Sequence, residues 1–220
     1  MLELESKINY SFKNKHLLDE AITHRSFGSS NNERLEFLGD AVLNLVIGRS
    51  LFEKYPELPE GELTRVRSVL VDQEGLTSVA LDLDLGYFLK LGAGELKTGG
   101  NKRPSILSDA VEALFGAIYL DSDYETVERI IIQLYATYLG NMDPRELSKD
   151  PKTKLQEHLQ ASRIELPEYH VVEVLGEAHE QEFVVECRIP QHDIVARGNG
   201  SNRRSAEQKA ARIAFELIVH

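Results

Sequence analysis

Apolar residues in the first two thirds of the chain recur at helical spacing. Leu35, Leu38, Val42, Leu45 and Val46 make one stripe, which predicts an amphipathic helix with that line facing a core. Ile106, Leu107, Ala110, Val111, Leu114, Phe115 and Ile118 cover most of a second helix, which should be buried on most sides. The pattern changes at residues 141–151. Two prolines, polar residues and no apolar period mark a linker there. Beyond it, residues 153–161 read as a helix with Leu155 and Leu159 inward. Residues 169–175 and 183–189 are rich in valine and aromatics and read as strands, joined by a hairpin loop at 176–180. Residues 194–197 should form a short third strand, 198–201 a turn, and 202–218 a long alanine-rich helix. The expected fold is a mainly α domain over residues 1–142, a linker at 143–151, and an α+β domain of order αβββα over 152–220.

The first helix carries an unusual set of acids. Glu33, Glu36 and Asp40 stand at i, i+3 and i+7, within about 60° of one another on the helix. Like charges at this spacing repel, and no lysine at i+4 offsets them. A solvated acidic face is the plain reading of such a pair. The second helix lowers its weight, because Asp109 and Glu112 repeat the i, i+3 spacing on a strongly apolar helix. Charges on a mostly buried helix are costly unless paired or coordinated. Glu36, Asp40, Asp109 and Glu112 therefore form a candidate metal-binding set. Their all-oxygen chemistry suits Mg²⁺, with Mn²⁺ able to substitute, rather than zinc.

Composition sets the limits. The chain has 220 residues, 42% hydrophobic and 28% charged, as in an ordinary soluble protein, and no apolar run approaches a membrane span. No signal-peptide pattern opens it, and one cysteine, Cys187, excludes an internal disulfide and suits the cytoplasm. The charge points the other way from nucleic acid. It is −11 overall, with 16 Lys and Arg against 24 Asp and Glu up to residue 149. Any contact with nucleic acid must come from local basic clusters, with a strong dependence on salt and Mg²⁺. No glycine-rich loop is followed by Lys-Ser or Lys-Thr, so a nucleotide cofactor is not expected.

The run Asn32-Glu33-Arg34-Leu35-Glu36-Phe37-Leu38-Gly39-Asp40-Ala41-Val42-Leu43 resembles the signature of the ribonuclease III family of double-stranded-RNA endonucleases. Thr23-His24-Arg25-Ser26, the stretch from Pro59 to Arg65, Gly94-Glu95-Leu96-Lys97-Thr98-Gly99-Gly100 and Asp109-Ala110-Val111-Glu112-Ala113 match in the same order. The resemblance implies a ribonuclease III fold followed by a double-stranded-RNA-binding domain. It implies metal-dependent hydrolysis of duplex RNA to 5′-phosphate and 3′-hydroxyl ends with short 3′ overhangs. Processing of ribosomal precursors, some messengers and tRNA, and action as a homodimer, come with it. Asp40 and Glu112 would be the catalytic positions of the metal set. Glu33, Glu60 and Glu95 would be supporting acids, the last two near the RNA path.

The αβββα order is that of a double-stranded-RNA-binding domain. Arg203 and Arg204 begin its last helix, where they oppose the dipole but can grip phosphates. Lys209 extends the patch. Thr153, Gln156 and Glu157 on the first helix can meet 2′-hydroxyls, and His179 in the hairpin can reach a neighbouring minor groove. Two other readings stand beside the nuclease. One is a double-stranded-RNA-binding regulator that no longer cuts. The other is an unrelated acidic helical metal-binding or scaffold protein.

Overall fold

From residue 2 to residue 148 the chain is helical: α1 (Leu2–Lys7), α2 (Lys15–Ala21), α3 (Glu33–Lys54), α4 (Glu60–Val71), α5 (Gln73–Asp82), α6 (Leu85–Phe88), α7 (Ala93–Lys97), α8 (Pro104–Asp121), α9 (Tyr124–Leu134), α10 (Ala136–Asn141) and α11 (Pro144–Ser148). The computed structural model describes residues 2–176 and 181–219, and for 141, 147 and 148 the backbone alone. It divides into two units, Met1–Ser148 and Lys149–His220, each with its own core. No helix among the described residues is long and apolar enough to cross a membrane.

The centre of the first unit is the pairing of α3 with α8, with α2 and α5 also packed on α8. Pro104 starts α8, where its missing N–H costs nothing and its fixed φ suits a helix. Every apolar residue expected to bury α8, from Ile106 to Ile118, is buried. Each such Leu, Ile or Phe contributes about 1.5–3 kcal/mol of transfer free energy.

The stripe on α3 differs from expectation. Its buried line is Leu35, Gly39, Val42, Leu43, Val46, Ile47 and Leu51. Leu45 is 57% exposed and Leu38 only half-buried. α8 on one flank and α4 and α9 further along cover the side bearing Leu43, Ile47 and Leu51. The outer side keeps Phe37, Leu45 and Phe52, 81%, 57% and 71% exposed, as an uncovered apolar row.

Within the expected linker, Pro144–Ser148 forms α11 and packs on α4. Asp143 Oδ1 accepts the Arg145 N–H at 2.9 Å and so starts that turn.

The second unit is α12 (Pro151–Ala161), β1 (Glu168–Leu175), β2 (Glu182–Ile189), β3 (Ile194–Gly200) and α13 (Arg203–Val219). The strands form an antiparallel sheet in the order β1-β2-β3, with a bulge between Val171 and Glu173. Leu155, Leu159, Cys187, Ile189, Ala196 and the alanines of α13 make its core. Asp150 caps α12 through the Thr153 N–H at 3.1 Å and accepts from Gln208 Nε2 at 2.9 Å, tying α12 to α13. The turn expected at 198–201 is instead the end of β3. Gly198 pairs with Val185, and Gly200 with Phe183. A Cβ on Gly198 would lie 2.2 Å from Ala210 N, and one on Gly200 2.1 Å from Ser205 Oγ. These glycines let α13 lie close on the strand; they do not turn the chain.

Candidate functional site

Glu36 comes from the first turn of α3, and Asp109 and Glu112 from the middle of α8. Packing of the two helices brings one carboxylate oxygen of each within 4.8 Å of the others. All three side chains are half-buried. Burial raises the proton affinity of Glu112 most, and the charges of Asp40, Glu36 and Asp109 add to it, pushing its pKa up to about 8. Burial, then Asp109, Glu33 and Asp40, raises Glu36, with Arg25 opposing. Burial likewise raises Asp109, opposed by Ser108, His24 and Arg25. Three crowded carboxylates that resist ionisation together are suited to a hard divalent cation, which would relieve both the repulsion and the desolvation.

Asp40 is exposed and lies outside the close group of three. Its charge still reaches Glu112, and Asn44 Nδ2 donates to its Oδ1 at 2.8 Å and to its backbone carbonyl at 3.0 Å. The three expected supporting acids have separate settings. Glu33 is exposed, with Arg25 Nη1 3.5 Å from its Oε1. Glu95 sits in α7 with Arg103 Nη1 at 2.5 Å. Glu60 begins α4, accepts from Thr64 Oγ1 at 2.9 Å, and lines a different hollow with Leu45 and Phe52. Glu33, Glu36, Glu95 and Asp109 share one cleft of about 480 Å³ with Arg25 and Arg103. The two arginines were not among the expected site residues. Their signal in the sequence is only that Arg25 lies within the matched run Thr23-His24-Arg25-Ser26 and Arg103 lies between two other matched runs.

In the second unit, Arg203, Arg204 and Lys209 are exposed along the start of α13. Asn202 Oδ1 accepts the Ser205 N–H at 2.9 Å and caps that helix. Arg203 pairs with Glu207 at 2.8 Å, and Lys209 Nζ donates to Asn199 Oδ1 at 2.8 Å. On α12, Gln156 and Glu157 are exposed, and Glu157 pairs with Lys149 at 2.5 Å. The Thr153 hydroxyl donates to Asp150 at 2.9 Å, which leaves it an acceptor for an incoming hydroxyl. His179 lies outside the described residues.

A family model described as Ribonuclease-III-like matches residues 14–139, and one described as Double-stranded RNA binding motif matches residues 151–218. Ribonuclease 3 of Thiobacillus denitrificans is 51% identical over 211 residues, 96% of this chain and 93% of that protein. Ribonuclease 3 of Bordetella pertussis is 51% identical over 213 residues, 97% of this chain and 83% of that protein. Among solved structures, the nuclease domain of ribonuclease III from Campylobacter jejuni aligns with a TM-score of 0.62 at 44% identity, covering 65% of this chain and 98% of that one.

Proposed function

The chain belongs to the ribonuclease III family, and we propose that Glu36, Asp109 and Glu112, with Asp40 beside them, are its catalytic metal-binding set. It is an endoribonuclease that cuts double-stranded RNA, leaving 5′-phosphate and 3′-hydroxyl ends with short 3′ overhangs. The family implies a divalent metal ion, and our reading takes it as Mg²⁺. The observation that carries the assignment is the convergence of three half-buried carboxylates from α3 and α8 within 4.8 Å. When bound, a divalent ion supplies the activated water and neutralises charge on the phosphate.

The protein's own residues fix where that happens. Glu112, half-buried and flanked by three acids, holds its proton up to about pH 8, and a bound cation would displace that proton. Asp40, held by Asn44, adds negative charge from the exposed side and orients water at the site. The RNA-binding unit presents Arg203, Arg204 and Lys209 to phosphates, and Gln156, Glu157 and Thr153 to 2′-hydroxyls. His179 keeps its expected minor-groove role in this reading. Glu33 and Glu95 border the cleft, and Glu60 stands apart from it.

The reading includes a homodimer joined through the uncovered row Phe37, Leu45 and Phe52 on α3. A solved Campylobacter jejuni ribonuclease III nuclease domain, 46% identical, is described as having a region involved in dimer formation. It aligns with a TM-score of 0.60 over 61% of this chain and 95% of that one. Work in the cytoplasm on ribosomal, messenger and transfer RNA precursors completes the proposal.

The test is cleavage of a long, fully paired RNA by wild type and Glu112→Ala, with and without Mg²⁺, beside a single-stranded control. Duplex-only cutting that needs both Mg²⁺ and Glu112 is expected. Wild type that binds duplex without cutting it in Mg²⁺ or Mn²⁺ would make the chain a regulator, and normal cutting by Glu112→Ala would overturn the site.

A further inference from the structure

The mouth of the acidic cleft carries an arginine that the metal site does not use. Arg25 lies in the turn Thr23-His24-Arg25-Ser26, and the backbone of that turn is held from several directions. His24 N donates to Lys90 O at 3.0 Å, Asn32 N donates to Thr23 O at 2.9 Å, and Gly92 N donates to Ser26 Oγ at 2.9 Å. The buried Thr23 hydroxyl donates to Asp19 O at 2.6 Å. Gly92 lies so close that a Cβ there would be 2.3 Å from Ser26 O. The turn is thus a rigid mount.

The side chain on that mount is comparatively unengaged. Arg25 is 71% exposed, and its Glu33 contact is a single one at 3.5 Å, the long limit for a hydrogen bond. The other arginine of the cleft is committed. Arg103 meets Glu95 at 2.5 Å and Thr98 Oγ1 at 3.3 Å. Arg25 also lines the same cleft as Glu36 and Asp109, and its charge acts on both. A guanidinium has five donors in a planar fork that matches a phosphate, and one weak contact leaves most of them available.

We propose that Arg25 grips a phosphate of the RNA strand at the cleft mouth, one that neighbours the scissile bond, and that Glu33 holds the guanidinium in place between substrates. The inference rests on the nuclease reading above. A cation bound among Glu36, Asp109 and Glu112 would cancel much of the negative charge that draws Arg25 inward, which would leave the side chain available to arriving substrate. The rigid turn confines the ordering cost of that grip to one side chain.

Full-length wild type, Arg25→Ala and Arg25→Lys are compared in steady-state cleavage of a short duplex RNA in Mg²⁺. The same changes in a Glu112→Gln background are compared for duplex binding by fluorescence anisotropy over a series of KCl concentrations. For Arg25→Ala, KM should rise about tenfold with kcat within twofold of wild type, and the salt slope of binding should fall by about one. Arg25→Lys should recover the slope but only part of the affinity. The thermal midpoint should not move, and in Arg25→Ala the Mg²⁺ half-saturation should at most tighten slightly, because a positive charge beside Glu36 and Asp109 is gone. Unchanged affinity and slope in Arg25→Ala, or a shift in Mg²⁺ half-saturation at unchanged RNA affinity, would overturn the proposal. If wild type itself fails to cut duplex RNA, the nuclease reading has failed, which is a separate result.

Discussion

Gly39 of α3 lies directly against the backbone of Glu112 on α8: a Cβ on Gly39 would come 1.7 Å from the Glu112 carbonyl oxygen. The contact is reciprocated one turn along, where a Cβ on Gly116 would lie 2.2 Å from Leu35 O. These two glycines set the closest approach of the helices that bring Glu36 to Asp109 and Glu112. Gly39→Ala meets backbone, not a movable side chain, so the helices must separate. We expect a loss near the upper end of the roughly 1–3 kcal/mol range for overpacking. Cleavage should fall more steeply than stability, because the carboxylates part. Thermal unfolding with Mn²⁺ binding by electron paramagnetic resonance checks this. A variant with normal stability and normal Mn²⁺ affinity would contradict it.

Glu112 makes the metal-free protein pH-sensitive. Its ordinary pKa is 4.5, and in the fold it rises to about 8 because of burial and then its acidic neighbours. Below pH 4.5 both folded and unfolded chains hold the proton. Between 4.5 and 8 the unfolded chain releases it freely while the folded one resists. Stability from this group therefore falls as pH rises through that window, then levels off. In EDTA, wild type should lose thermal stability from pH 5 to 8 relative to Glu112→Gln, and saturating Mg²⁺ should remove the difference. Parallel melting curves in EDTA would show that Glu112 is not the strained group.

The same proton couples to metal affinity. Metal binding must displace it, so half-saturation by Mg²⁺ should tighten as pH rises toward about 8 and change little beyond. Mg²⁺ titrations of cleavage rate at several pH values read this out. A half-saturation independent of pH would place the metal away from Glu112.

Phe37, Leu45 and Phe52 present an apolar row on α3 that a lone copy leaves in water. Phe37→Asp, with Leu45→Asp beside it, should convert a dimer to a monomer in sedimentation velocity. Loss of α-helical signal should not accompany it, because neither residue is in the core. A dimer that survives both changes would move the interface elsewhere.

Arg203 and Arg204 begin α13, against the helix dipole, and both are exposed. Changing both to alanine should weaken duplex binding and flatten its salt dependence by about two counterions. Folding should hold, since Asn202 still caps the helix through Ser205. An unchanged salt slope would assign the phosphate contacts to other residues.

Much of this molecule is local, and so it is legible along the chain. Periodicity marks α8 as buried and the 169–189 region as paired strands, and i, i+3 spacing puts Asp109 and Glu112 on one face, because backbone geometry alone dictates those relations. What lies between elements is not local. Spacing put Glu36 and Asp40 on one side of α3 with equal standing, yet only Glu36 enters the close group with Asp109 and Glu112. Leu45 belonged to the core stripe by period, but the neighbours of α3 cover another side of it and leave Leu45 in water. Gly198 and Gly200 carry the composition of a turn and act as strand residues beneath α13. Sequence periodicity sets the angle at which a side chain leaves its own helix or strand. The distance to the next element is set by packing, here by Gly39 and Gly116, and that distance decides which acids can share one ion.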